Sequence, residues 1–227
     1  MRRVLVGFTV VVVIAGVRTA AWADRSSGVQ PSAARSLLFC PGSERWSIKT
    51  LTDLAAGSVN YAHPVVKTVA ELATQDPAKL TPPVHIGSGT PRLALEKVVY
   101  RVKVRLVKAK IEGGGSGDED IHLVIADAHP PGKPDGQTMI AELPKAGCAP
   151  ESGSAKAAQM AKARTAFVAA CGTPPTGQPV VYTPTATATI TGVGFFDLKH
   201  GTAQLGRAPH DRELHPVLKF VINSACR

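Results

Sequence analysis

The chain is poor in aromatic residues, with six Phe, three Tyr and two Trp among 227 positions. A nucleic-acid binder that works by base stacking needs several aromatic platforms along a groove, so this scarcity argues against stacking as the main means of recognition. Past residue 23 the chain also lacks any apolar run long enough for a membrane-spanning helix, which needs about 20 residues. No stable transmembrane anchor is therefore expected. There is no Cys-x-x-Cys, no Cys/His cluster at zinc spacing, no Gly-x-Ser-x-Gly, no Walker-type loop and no dinucleotide fingerprint. Those gaps remove the common metal, nucleophile and nucleotide motifs, and no metal or cofactor is predicted. The run Gly113-Gly114-Gly115-Ser116-Gly117 lacks the Lys-Ser/Thr pair of a phosphate loop and reads as a hairpin loop.

At the N-terminus Arg2 and Arg3 precede an apolar stretch from Val4 to Val17, and Ala21-Trp22-Ala23 supplies the small residues that signal peptidase inspects. Residues 1–23 thus read as a signal peptide cleaved before Asp24, and the product as secreted or periplasmic. Cleavage removes three of the 26 basic residues and none of the 17 acidic ones, leaving a net charge of about +6. Cys40, Cys148, Cys171 and Cys226 are an even set in an oxidising compartment and read as two disulfides. Cys148 and Cys171 flank a predicted helix, so the expected pairs are Cys148–Cys171 and Cys40–Cys226.

Residues 24–36 read as a flexible leader and 37–91 as an N-terminal extension, in which Val66 to Thr74 suits either a short helix or an extended arm. From Leu95 the pattern sharpens. Val98, Tyr100, Val102, Val104 and Leu106 share one parity while Arg101, Lys103 and Arg105 share the other, a strand with one cationic face. After Leu106 the parity flips to Val107, Ala109 and Ile111, as a β-bulge would produce. Strands follow at Ile121–Ala126 and Thr138–Leu143, and an Ala-rich helix at Ser154–Ala170 is stopped by Gly172 and Pro174-Pro175. Two more strands are expected at about Val180–Phe196, bent at Gly192 and Gly194, and at about Leu214–Asn223. Strand-strand-strand-helix-strand-strand is the element order of the OB-fold, so residues 92–227 are expected to form a five-stranded OB-like barrel.

Several strings in this chain resemble those of a group of secreted bacterial proteins of unknown function. They are Glu44-Arg45-Trp46 with Lys49-Thr50, Glu96-Lys97-Val98-Val99-Tyr100, Asp120-Ile121-His122-Leu123-Val124-Ile125 and Thr138-Met139-Ile140-Ala141-Glu142. Gly192-Val193-Gly194-Phe195-Phe196-Asp197, His200-Gly201 and Glu213-Leu214-His215-Pro216-Val217 complete the set. The resemblance covers about Glu44 to Val217 and implies export, with no activity, cofactor or partner attached to it.

Three functions are open to such a barrel. Arg101, Lys103 and Arg105 would let an exported, non-enzymatic module bind an anionic polymer such as nucleic acid or an envelope component. The polar residues Asp118, Asp120, His122, Glu142, Asp197, His200, Glu213 and His215 are the candidates for chemistry. Among them Asp197, His200, Glu213 and His215 would form the rim site of a small secreted hydrolase acting on phosphodiesters. A structural or protein-interaction module is the third reading. The sequence favours the binding module, with His215, beside Pro216, as a brace rather than a catalyst.

Overall fold

The computed structural model describes residues 44–113, 118–129, 135–145, 156–198 and 206–226. His200, Cys40, Cys148 and the expected signal peptide and leader lie outside them. At its centre is a closed five-stranded barrel made by β2 (Val98–Ile111), β3 (Ile121–Asp127), β4 (Thr138–Leu143), β7 (Arg212–Ser224) and β6 (Thr187–Phe196), with β2 pairing back onto β6. Neighbours are antiparallel except β4 and β7, which run parallel, and α3 (Ala157–Cys171) lies between β4 and β6 in the chain. This is the OB-like barrel the element order predicts.

Alternation along the strands fills the interior. Val102, Val104, Leu106, Ile121, Leu123, Ile125, Met139, Ala141, Leu143, Ile190 and Leu214 join one buried apolar cluster. The parity flip in β2 is a bulge: its pairing with β3 slips between Leu106 and Lys108. Gly192 and Gly194 likewise sit where the β6–β7 register shifts. Gly194 is required by packing, since a Cβ there would overlap the guanidinium of the fully buried Arg212. Pro216, which has no N–H to give to a ladder, falls in one of these irregular stretches, opposite the β6 glycines. β7 starts earlier than expected, at Arg212.

The expected fourth strand is two pieces. β5 (Val180–Val181) pairs with Lys108 and Ala109 of β2, and a turn at Thr183–Ala186 containing Pro184 separates it from β6. In α3 the residues Met160, Ala163, Phe167 and Cys171 are buried at helical spacing, and Phe167 packs edge-on against Phe220 of β7, 5.3 Å between ring centres. That docking sets the disulfide. Cys171, at the end of α3, bonds Cys226, just past β7. The expected Cys148–Cys171 and Cys40–Cys226 pairs are therefore corrected: the helix end reaches the chain's last residues because α3 lies along β7. The bond closes a separation of 55 residues, and removing it is expected to cost about 4 kcal/mol by the loop-entropy relation. Non-reducing peptide mapping should recover a Cys171–Cys226 peptide, and Cys171→Ala with Cys226→Ala should lower the urea midpoint.

The extension belongs to the same body as the barrel. Of the two alternatives for Val66–Thr74 the helix is found, α2 (Val69–Ala73), and it follows β1 (Asn60–Val66), an edge strand parallel to β2. Thr68 and Glu71 form a capping box on α2, and the Asp127 carboxylate accepts from the N–H groups of Val69 and Ala70. Val69, Leu72 and Ala73 are wholly buried in the barrel cluster.

The first turn, α1 (Trp46–Lys49), is fastened by Arg45. Its guanidinium meets both Glu96 carboxylate oxygens at 2.7 and 2.6 Å and donates to the carbonyls of Phe196, Thr90 and Pro91. All five donors of the fork are used, in a pair with no solvent exposure. Glu96 also accepts from the N–H groups of Leu93 and Phe196. Arg92 makes a second clamp, to Asp53 and to the carbonyls of Ile48 and Glu96. Among the described residues no helix is long and apolar enough to cross a membrane.

Candidate functional site

The strands that fill the barrel with Ile121, Leu123, Ala141, Leu143 and Leu214 carry charge at the alternate positions. His122 of β3 stands opposite Glu142 of β4, and Glu213 and His215 lie two apart on β7, which runs parallel beside β4. Asp120 precedes β3, Asp197 follows β6, and Lys49 comes from α1. These positions converge. His215 Nδ1 is 2.8 Å from Glu142 Oε2, and its Nε2 is 3.2 Å from Asp120 Oδ2. His122 Nδ1 lies 3.1 Å from both Glu142 Oε1 and Glu112 Oε1. Lys49 Nζ is 3.7 Å from Asp197 and 4.0 Å from Asp118. The Phe195 ring separates the Arg45 clamp from this network, edge-on to His215 with Lys49 over its face.

The network sets its members' protonation. Burial pulls the His215 imidazolium down, but the Glu142 charge and the close approach of Asp120 and Glu142 override it and push the pKa up to about 10. His122 is likewise opposed by burial and raised to about 10 by Glu112 and Glu142. Burial pushes Glu142 up, yet His215, His122 and Lys49 hold it well below the usual carboxylate range. Glu213 goes the other way: burial, Asp197 and Glu142 raise it well above that range. Burial, with Asp120 and Glu142, also lifts Asp118 to about 6. The cluster thus sets imidazole and lysine groups that favour their charged forms against Glu142, also favoured in its charged form, while Glu213 is biased toward its neutral form.

Of the residues proposed for a hydrolase rim, Asp197, Glu213 and His215 do come together. They lie on the outer wall of the barrel beneath α1 rather than on an open rim. His215 and Asp120 have no exposed surface and Glu213 has 3 %. Among the described residues His215 stands between Asp120 and Glu142; His200 lies outside them. Only the His122 end opens outward, beside Lys108 and Lys110 in a pocket of about 280 Å³.

No protein-family model matches the chain, and no curated protein or solved structure matches it either. The functional reading therefore rests on the molecule's own geometry.

The proposed cationic stripe is divided. Arg105 is buried, with its guanidinium against both oxygens of Asp135 and a further bond to the Leu106 carbonyl. Asp135 thus covers Arg105, which is not part of an open cationic face. Arg101 and Lys103 are exposed. Arg101 lines a groove of about 480 Å³ between the β1–β2–β6–β7 surface and α3, together with Lys156, Lys162, Lys219 and Tyr61. None of the described residues lining it is acidic. Among the described residues Arg101, Lys162 and Lys219 have no ion-pair partner, whereas Lys156 lies over the Tyr61 ring, 4.3 Å from its centre. Sequence reading finds Arg101 by its parity. It misses Lys156 and Lys162, which on a single helix read as a solvated face, and Lys219, an isolated charge on β7. Lys49 is missed for the same reason: nothing local marks a lysine on a four-residue helix as the cation of a distant cluster.

Proposed function

We propose that this chain is an exported, non-enzymatic binding module whose groove takes an extended anionic polymer. The observation that carries this reading is the groove itself, where Arg101, Lys162 and Lys219 face open space with no acid among its described lining. Cations with no partner keep their charge for a ligand, and a polyanion releases counterions when it meets them. The Cys171–Cys226 bond suits an oxidising compartment, as the N-terminal targeting pattern does.

Charge rather than stacking is the means of recognition. Tyr61 is the half-exposed aromatic of the groove, and Lys156 covers its face. A base would have to displace that lysine to stack. Sulfated or carboxylated polysaccharide, or polyphosphate, is therefore expected to bind at least as well as single-stranded DNA of equal charge. The triple variant Arg101→Glu, Lys162→Glu, Lys219→Glu should reduce binding of a heparin-like oligosaccharide at least 100-fold at low salt. Its far-UV circular dichroism should be unchanged, because all three side chains are exposed. Undiminished binding by the folded triple variant would refute the groove as the site.

A second reading, a phosphodiester hydrolase, is supported by the convergence of Asp197 and Glu213 with His215. The burial of Glu213 and His215 weighs against it, because a general acid or base must reach the proton it transfers. Phosphodiester turnover abolished by Glu213→Gln in a stably folded protein would favour that reading.

A further inference from the structure

We propose that Asp120, Glu142 and His215 form a site for one divalent cation, independent of the groove. Each contributes a ligand atom, and these atoms all lie within 4.8 Å of one another. Ligands around a small divalent ion, each bonded at about 2.0–2.2 Å, are spaced on this scale. The donor set is two carboxylates and one imidazole. That composition suits a transition-series ion such as Zn2+ or Mn2+ better than Ca2+, which takes an all-oxygen shell.

Two features of the geometry point to a ligand beyond the acidic residues themselves. The first is Glu213. It is buried on the same face of β7 as His215, its Oε2 has no hydrogen-bond partner, and its carboxyl interacts with the charges of Glu142 and His215. An unsatisfied buried carboxyl oxygen is costly, and a cation held by Glu142 and His215 would act on it through the same charge coupling. The second is alignment. The two nitrogens of His215 approach Glu142 and Asp120 at 2.8 and 3.2 Å, yet neither nitrogen nor the facing Glu142 Oε2 and Asp120 Oδ2 atoms make an aligned hydrogen bond. These four buried atoms are left without an aligned partner, and an ion binding there would displace the imidazolium proton of His215 to solvent, freeing one ring nitrogen as a ligand.

The surroundings fit a resident ion. Lys49 makes its closest approaches to Asp197 and Asp118, at 3.7 and 4.0 Å, although its charge also acts on Glu142. His122 donates toward Glu142 from the far side, the position of an outer partner that orients a ligating carboxylate. The site joins β4, β7 and the residue before β3; OB barrels place ligands across their second and third strands and the adjoining loops.

The test uses the mature protein, treated with EDTA and dialysed, and titrated with MnCl2 or ZnCl2 by calorimetry, with thermal unfolding alongside. One ion per chain and a raised Tm are expected. The near-isosteric Asp120→Asn and His215→Gln should each weaken binding at least tenfold. Glu112→Gln, at the outer carboxylate of the network, should leave the affinity within about twofold. Should either site variant fail to fold, pulsed electron paramagnetic resonance of Mn2+ on the unaltered protein should still report one imidazole nitrogen. Absence of stoichiometric binding, affinity unaffected by Asp120→Asn, loss of the ion with Glu112→Gln, or a bound ion with no nitrogen coupling would each overturn the assignment.

Discussion

Glu96→Ala is expected to destabilise the protein by about 3–5 kcal/mol, the range for removing one partner of a buried ion pair. The wild-type carboxylate accepts from Arg45 through both oxygens and from the N–H groups of Leu93 and Phe196. Its loss strands a guanidinium with no exposed surface and orphans two backbone donors. Because α1 enters through Arg45, the same change should loosen residues 44–59, seen as faster amide exchange there than in β2–β4. The pair's own worth is smaller than that loss. Arg45→Met with Glu96→Leu removes both charges and should cost less than Glu96→Ala alone, giving a large coupling energy in a double-mutant cycle. A Glu96→Ala protein with an unchanged urea midpoint would contradict the clamp.

His215→Ala should have an effect of the same order, about 3–5 kcal/mol, since it leaves Asp120 and Glu142 facing each other in a buried site without their shared cation. The pH dependence carries a sign. His215 and His122 have folded pKa values of about 10 against an ordinary 6.5. Their stabilising contribution is complete below pH 6.5 and is lost as pH rises through about 10. Asp118 and Glu213, also raised, act in the same direction: their contribution is full in acid and falls as pH climbs past the unfolded carboxylate range. Glu142 is depressed, so its contribution is present above pH 4.5 and is lost on acidification. Chelator-treated protein should therefore lose Tm between pH 7 and 10. The loss should be shallower in His122→Gln, which removes one of the two titrating imidazoles. A flat or rising Tm over that interval would contradict the protonated network.

The barrel was legible because its signals are local. A parity flip at Leu106 can only be absorbed by a bulge if both halves of β2 keep their apolar side inward, and the register slip lies there. Gly192 and Gly194 announce an irregular β6–β7 pairing, and the placement of one helix between β4 and β6 gives the topology. Less was readable where partners are distant. β1 has no period-two pattern, because it is an edge strand carrying Pro64 whose register with β2 is irregular. The Cys171–Cys226 bond depends on how α3 docks along β7, which spacing alone does not reveal. Arg105 has the same parity as Arg101 and Lys103, and only its pairing with Asp135, thirty positions on, takes it out of the open face. The polar candidates were readable as residues and unreadable as a site. Asp118, Asp120, His122, Glu142, Asp197, Glu213 and His215 are spread from position 118 to 215 and meet only on the folded wall of β3, β4 and β7.

The central claim is that an open set of cations on the groove recognises a polyanion. It is tested most directly by the salt dependence of affinity for a heparin-like oligosaccharide, measured by calorimetry from about 50 to 200 mM salt. Three engaged cations, Arg101, Lys162 and Lys219, predict a slope of log K against log salt of about −2, by the relation for flexible polyanions. The slope should move toward zero by about 0.7 for each cation replaced by glutamine. A slope near zero in the wild type, or one that the three substitutions leave unchanged, would contradict the account.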